Sequence, residues 1–116
     1  MRPLAFKLRH RVDIQAYTTT EDSDTGAVEE SFVSILSSDD ALIPAEIAPL
    51  SGREFVAAQA LQAGVNTRIT IRWQAGIVPT MRVVHDGLNY DIKAVLPDPT
   101  LRRHLTLMCE TGVNNG

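Results

Sequence analysis

Residues 48–55, Ala48-Pro49-Leu50-Ser51-Gly52-Arg53-Glu54-Phe55, mark the place where an extended chain turns into a helix. Ser51 stands as an N-cap whose hydroxyl can accept from the backbone N–H three residues on, and Glu54 can reach back to the Ser51 N–H, which makes a capping box. Leu50 before the cap and Phe55 at the fourth helical position form a hydrophobic staple, while Pro49 keeps Ala48 extended and blocks an earlier start. Beyond it, Phe55, Ala58 and either Leu61 or Gln62 recur at helical spacing, and Gly64 is the natural stop. The pattern predicts one helix over about residues 52–63, roughly three turns long.

Outward from that helix the apolar residues follow period two. Upstream, Val12, Ile14 and Ala16 alternate with Asp13 and Gln15 in a first strand over residues 8–18. Residues 18–27 are polar and end near Gly26, a long hairpin loop, and 28–36 make a second strand. Ser37-Ser38-Asp39-Asp40 is a turn-type cluster. Residues 41–48 resume an extended pattern with Ile43, Ala45 and Ile47 on one side; Pro44 suggests an edge or a bulge there. Downstream, Ile69, Ile71 and Trp73, then Met81 and Val83, then Tyr90, Ile92 and Ala94 mark three more strands. Asp86-Gly87 between the last two is the preferred sequence for a two-residue hairpin. Leu96-Pro97-Asp98-Pro99 reads as a rigid loop, and Leu105, Leu107 and Cys109 as a last strand. Six to seven short strands with one short helix cannot build a parallel βαβ sheet, and an open sheet would leave two bare edges. The expected fold is mainly β: a small antiparallel β-barrel or sandwich with the helix plugging or flanking one opening.

The 116 residues suit a single domain, with residues 1–7 as a flexible N-terminal arm and 111–116 as a frayed tail. Apolar residues make up 44% and charged ones 22%, and no apolar run is long enough for a membrane helix or a secretory signal. The single cysteine, Cys109, excludes an internal disulfide and reads as a small core residue. Net charge is −3, which argues against a general nucleic-acid binder. Its distribution is more telling: Arg2, Lys7, Arg9 and Arg11 crowd the start, while residues 21–54 hold nine acidic side chains and only Arg53 as a base. Such segregation suits head-to-tail contacts between identical subunits, and equally two solvated faces.

Residues that could carry chemistry are sparse. Asp22-x-Asp24-x-Gly26 resembles the start of a calcium loop, but the position that needs a bidentate glutamate is Val33. His10, His85 and His104 stand singly near strand ends, without metal-ligand spacing. Ser51 is accounted for by capping, and neither a nucleophile elbow nor a phosphate-binding glycine loop occurs. An enzyme reading would have to use Glu54 with a histidine, in a small ligand-binding or hydrolytic barrel. No metal or cofactor is expected.

The order of motifs says more than any one of them. Leu8-Arg9-His10-Arg11-Val12-x-Ile14-Gln15, Asp24-x-Gly26, Pro49-Leu50-Ser51-Gly52-Arg53-Glu54, Ile69-x-Ile71-Arg72, Arg82-Val83, Gly87-x-x-Tyr90-x-Ile92 and Leu105-x-Leu107-x-Cys109-Glu110 together resemble the tailed-bacteriophage head-tail joining family, the head-closure or stopper proteins. The chain departs from that pattern at Pro44, near which the family commonly carries a tryptophan. The resemblance implies a structural virion protein and not an enzyme: a small β-barrel with a short helix, spanning residues 1–116 as one head-tail joining domain. It implies a homo-oligomeric ring, a dodecamer, that assembles from monomers at the virion neck after synthesis in the host bacterial cytoplasm. Such a ring closes the DNA exit channel beneath the portal or adaptor protein, offers a surface to a tail terminator or tail tube protein, touches packaged DNA without sequence preference, and has no membrane partner. On that reading Lys7, Arg9, Arg11, Arg53, Glu54, Asp39 and Asp40 are the candidate interface residues. Glu21, Asp22, Asp24, Ser37 and Ser38 are the candidates to line or gate the channel.

Overall fold

Among the described residues, seven antiparallel strands and one helix follow the chain in the order β1 (His10–Glu21), β2 (Val28–Ser34), β3 (Ile43–Pro49), α1 (Gly52–Leu61), β4 (Thr67–Arg72), β5 (Arg82–His85), β6 (Leu88–Pro97) and β7 (His104–Thr111). The structure, a computed structural model, describes residues 8–36, 42–61, 64–98, 101 and 103–111. Strand order is β2-β1-β3-β4-β7-β6-β5, and β5 pairs back onto β1 through Asp13↔Val84, Ile14↔Val83 and Gln15↔Arg82. Six strands therefore close into a barrel, and β2 lies outside it on the distal half of β1. Closure removes the bare edges of the six barrel strands and leaves β2 as an edge strand.

The inward positions are those the alternation marks. Val12, Ile14, Ala45, Ile69, Ile71, Val83, Leu107 and Cys109 are wholly buried in one cluster, which Ile43, Ile77, Tyr90, Ile92 and Leu105 complete. Each large aliphatic side chain buried this way stabilises the fold by about 1.5–3 kcal/mol. Asp86 and Gly87 join β5 to β6 with φ of 52° and 77°, both positive as a type I′ turn requires.

Several elements differ from the sequence-based expectation. β1 continues to Glu21, where a loop was expected from residue 18, because Thr18, Thr19 and Thr20 find partners in β2. β6 runs through Pro97, which pairs with Leu105 although it was expected in a loop. A bulge between Ile92 and Ala94 shifts the alternation, so Val95 packs against the core where Ala94 was expected to. β4 ends at Arg72 and leaves Trp73 42% exposed. Pro44 sits in a strand flanked on both sides, yet it lies just beyond the last β3–β4 pair, Ala45↔Ile71, so the ladder pairs it with β1 alone. Its missing N–H costs no ladder bond to β4. Thr111 belongs to β7: it pairs with Tyr90, and its N–H donates to Asn66 Oδ1 at 3.1 Å.

The helix starts as its sequence dictates. Glu54 N–H donates to Ser51 Oγ at 3.2 Å, and Ser51 N–H donates to Glu54 Oε1 at 3.1 Å, closing the capping box. α1 flanks the barrel and covers little of it. Ala58 is buried, but Phe55 is 43% and Val56 71% exposed. Glu54 and Ala58, one turn apart, share the barrel side, which turns Phe55 roughly 100° away. Positions 62 and 63 of the expected helix lie outside the described residues. Among the described residues no helix is long and apolar enough to cross a membrane.

Candidate functional site

At the start of β1 the outward side chains are basic. With Val12 and Ile14 pointing inward, Arg11 points out, opposite Pro44 of β3. The β3–β4 register brings Arg72 into the same row, and Arg72 pairs in turn with His104 of β7. The row Arg11, Pro44, Arg72 thus crosses three strands, with a short proline ring between two long cations about 10 Å apart at the backbone. An open cleft of about 240 Å³ lies there, lined by Leu8, Arg9, Arg11, Pro44 and Arg72. Among the described residues no carboxylate pairs with Arg11 or Arg72, and both are exposed.

The opposite end of β1 is acidic. Beyond Gln15 the strand leaves the barrel wall and pairs with β2 alone, from Gln15↔Ser34 to Glu21↔Val28, as a two-stranded arm. Glu21, Asp22, Asp24, Glu29 and Glu30 are all exposed on it, and no lysine or arginine occurs between Arg11 and Arg53. The turn at its tip is locally specified. Asp22 Oδ1 accepts from Asp24 N–H at 2.8 Å, Asp22 O accepts from Gly26 N–H at 2.7 Å, and Gly26 has φ of +74°. The Asp22 carboxylate therefore shapes the turn, and no group of three acidic, histidine or cysteine side chains among the described residues could hold a metal ion.

A set of contacts that the sequence did not reveal ties this arm to the barrel. Arg82 of β5 lies over the Phe32 ring of β2 at 4.0 Å and donates through Nε to Gln15 Oε1 at 2.9 Å. Gln15 Nε2 donates to Asp13 Oδ2, and Ser34 Oγ donates to Asp13 Oδ1 at 2.6 Å. Phe32 also meets Tyr17 edge to face at 5.6 Å. The Tyr17 hydroxyl bonds Glu30, and that carboxylate raises its pKa above the ordinary tyrosine value. Phe32 and Arg82 are 50 residues apart in sequence, so only barrel closure shows the pairing.

The remaining candidates divide. Glu54, besides capping, accepts from Arg68 of β4 through Oε2. The Ser51 backbone N–H, then the Ser51 hydroxyl, then the Arg68 guanidinium hold its carboxyl below the usual glutamate range. Arg53 is exposed on the first turn of α1. Lys7, Ser37, Ser38, Asp39 and Asp40 lie outside the described residues. The histidines are not single: His10 and His85 meet edge to face at 5.0 Å, and the Arg11 carbonyl accepts from His85 Nδ1 at 3.1 Å. His104 Nδ1 lies 3.7 Å from Asp98 Oδ2. Arg68, which holds Glu54, and Arg72, which pairs with His104, are four residues apart on β4, about 13 Å. Glu54 and His104 are thus not brought together.

Comparison with known proteins agrees with this picture. The family model described as phage head completion protein matches residues 3–112. The solution structure of protein SF1141 from Shigella flexneri 2a is similar, with a TM-score of 0.76 and 28% identity over 94% of this chain and 96% of that one. No curated protein matches.

Proposed function

Since the chain belongs to the phage head completion protein family, with a structural role at the phage head and tail and contacts with other virion components, we propose that it forms a ring between head and tail. In this reading the whole chain works as one joining domain at the neck. The ring, a dodecamer assembled from monomers, sits beneath the portal or adaptor protein, closes the channel through which DNA leaves, and presents a surface to the tail terminator or tail tube protein. The observation that carries the proposal is the match over residues 3–112 together with the segregation of charge along β1. A barrel wall that is basic at one end and a stiff acidic arm at the other suits a subunit that must meet identical neighbours.

The test is made on particles. Heads assembled without this chain are expected to package DNA, lose it, and remain tailless, and adding the purified chain restores both DNA retention and tail joining. Electron microscopy of the complete particle is expected to show a closed ring of this barrel at the neck. Particles that hold DNA and join tails without the chain overturn the proposal.

A further inference from the structure

We propose that the acidic tip of the β1–β2 arm of one copy seats in the Arg9–Arg11–Arg72 cleft of the next. This rests on the ring reading above and names the contact that would build the ring. It also moves Glu21, Asp22 and Asp24 from the channel lining, where the resemblance suggested them, to the subunit interface.

A single strand carries both charges. β1 carries Arg11 at one end and Glu21 at the other, ten residues apart, which is about 33 Å of extended chain. The cleft lies beside the first and the five exposed carboxylates surround the second, so one rigid strand keeps the complementary charges apart. Arg11 and Arg72 cannot reach the acidic tip of their own copy. Two different patches meeting between copies make a heterologous contact, which closes into a ring when the rotation between copies allows it. That rotation depends on the angle of the arm, and Arg82, Gln15, Asp13, Ser34 and Phe32 fix the arm to the barrel.

Chemistry favours this occupant. Arg11 and Arg72 have no carboxylate partner among the described residues, and the proline between them leaves space for an incoming acidic side chain. Acceptors come in equal number of copies with the clefts, because they are on the same chain. Tyr17, Val28 and Val33 expose apolar surface on the arm, at 44%, 61% and 55%, to add contact around the charges. A DNA phosphate in the cleft would be the other anionic occupant, but a chain of net charge −3 with an acidic arm repels the duplex it would have to approach. Exposed ion pairs are individually weak and screened by salt, so free copies stay apart and the contact holds when a head or tail surface gathers them.

A charge swap tests it. Arg11→Glu with Arg72→Glu reverses the cleft. Glu21→Arg, Asp24→Arg and Glu29→Arg together reverse the tip, leaving three positive and two negative side chains, and spare the Asp22 turn. All five sites are exposed, and unfolding curves of the isolated variants check that the barrel is intact. Each reversed set alone is expected to lower incorporation into particle necks by about tenfold or more. The five changes together are expected to restore it. Reversed sets that incorporate normally, or a five-fold variant as defective as its parents, overturn the proposal. If the cleft reversal instead abolishes retention by duplex DNA and the combined variant gains no assembly, the cleft is a DNA site and the proposal is also overturned. Rings that persist with a reversed cleft leave the ring reading standing and remove only this contact; native particles without a ring remove the ring reading itself.

Discussion

The carboxylate of Glu54 joins α1 to β4 through Arg68: one oxygen accepts from the Ser51 N–H that opens the helix, the other from the Arg68 guanidinium. The same side chain that starts the helix also aims it. Among the side chains described on α1, Ala58 is the buried one, and Gln59 ties the far end of the helix, donating to Val65 O at 2.7 Å.

Removing the Ser51 hydroxyl takes away one half of the capping box. Ser51→Ala is expected to cost about 1 kcal/mol, read from a denaturation midpoint with an unchanged slope. Glu54 adds a pH dependence. Its folded-state pKa lies below the ordinary 4.5, so its contribution is fully present above that value and is lost as pH falls through the folded-state pKa. Glu54→Gln keeps a capping acceptor and loses the charge, so the acid-side loss of helix protection should shrink in that variant. An acid limb identical to the native one would show that the carboxylate does not orient α1.

Gly64 offers a second test, because two constraints meet there. Its φ is +90°, and an added Cβ would stand 2.8 Å from the Glu110 carboxylate, whose Oε1 is 3.6 Å from Lys93 Nζ. Gly64→Ala is expected to cost about 1–2 kcal/mol from the left-handed backbone alone. Because Glu110 can swing away, Gly64→Ala combined with Glu110→Ala should recover little. Full recovery in that double variant would place the cost in the clash.

Cys109 is the single cysteine and is wholly buried, and burial pushes its thiol pKa up to about 12. The native protein should resist a thiol reagent near pH 8 and react at once in denaturant. Cys109→Ser places a hydroxyl among Ile69, Ile92 and Leu107 and should cost about 1–3 kcal/mol. Rapid labelling of the folded protein would mean that β7 opens far more easily than its pairing with β4 and β6 implies.

Local signals carried much of the fold. Ser51 and Glu54, three residues apart, and Asp86-Gly87, a dipeptide with one favoured turn, act within a few residues of themselves and form as their types dictate. The inward positions of β4 and β7 follow because both strands are regular. What failed to show depends on partners far along the chain. Thr18 to Thr20 look like loop until β2 is beside them; the bulge at Lys93 changes which of Ala94 and Val95 faces inward without any glycine to announce it. The cleft was half legible. Arg9 and Arg11 stood out as a basic start, but Arg72 joins them only because the registers of β1, β3 and β4 align.

The arm is where stability and proposed function meet. An isolated two-stranded ribbon is marginal in water, so this one depends on its root, where Arg82 stacks on Phe32 and donates to Gln15. Arg82→Ala removes both contacts and should cost about 1–2 kcal/mol. The loss should be local. Amides of residues 16–20 and 29–33 should exchange faster, while those of Ile69 and Leu107, deep in the barrel wall, keep their protection. Arg82→Lys keeps the charge but not the planar stack and the Nε donor, and should fall between the two. If the arm angle sets how copies meet, the same variant should incorporate poorly into necks even though its tip and cleft are unchanged. Arm exchange that accelerates without any loss of incorporation would separate the two effects, leaving Arg82 as a stabiliser of the ribbon and removing it from assembly.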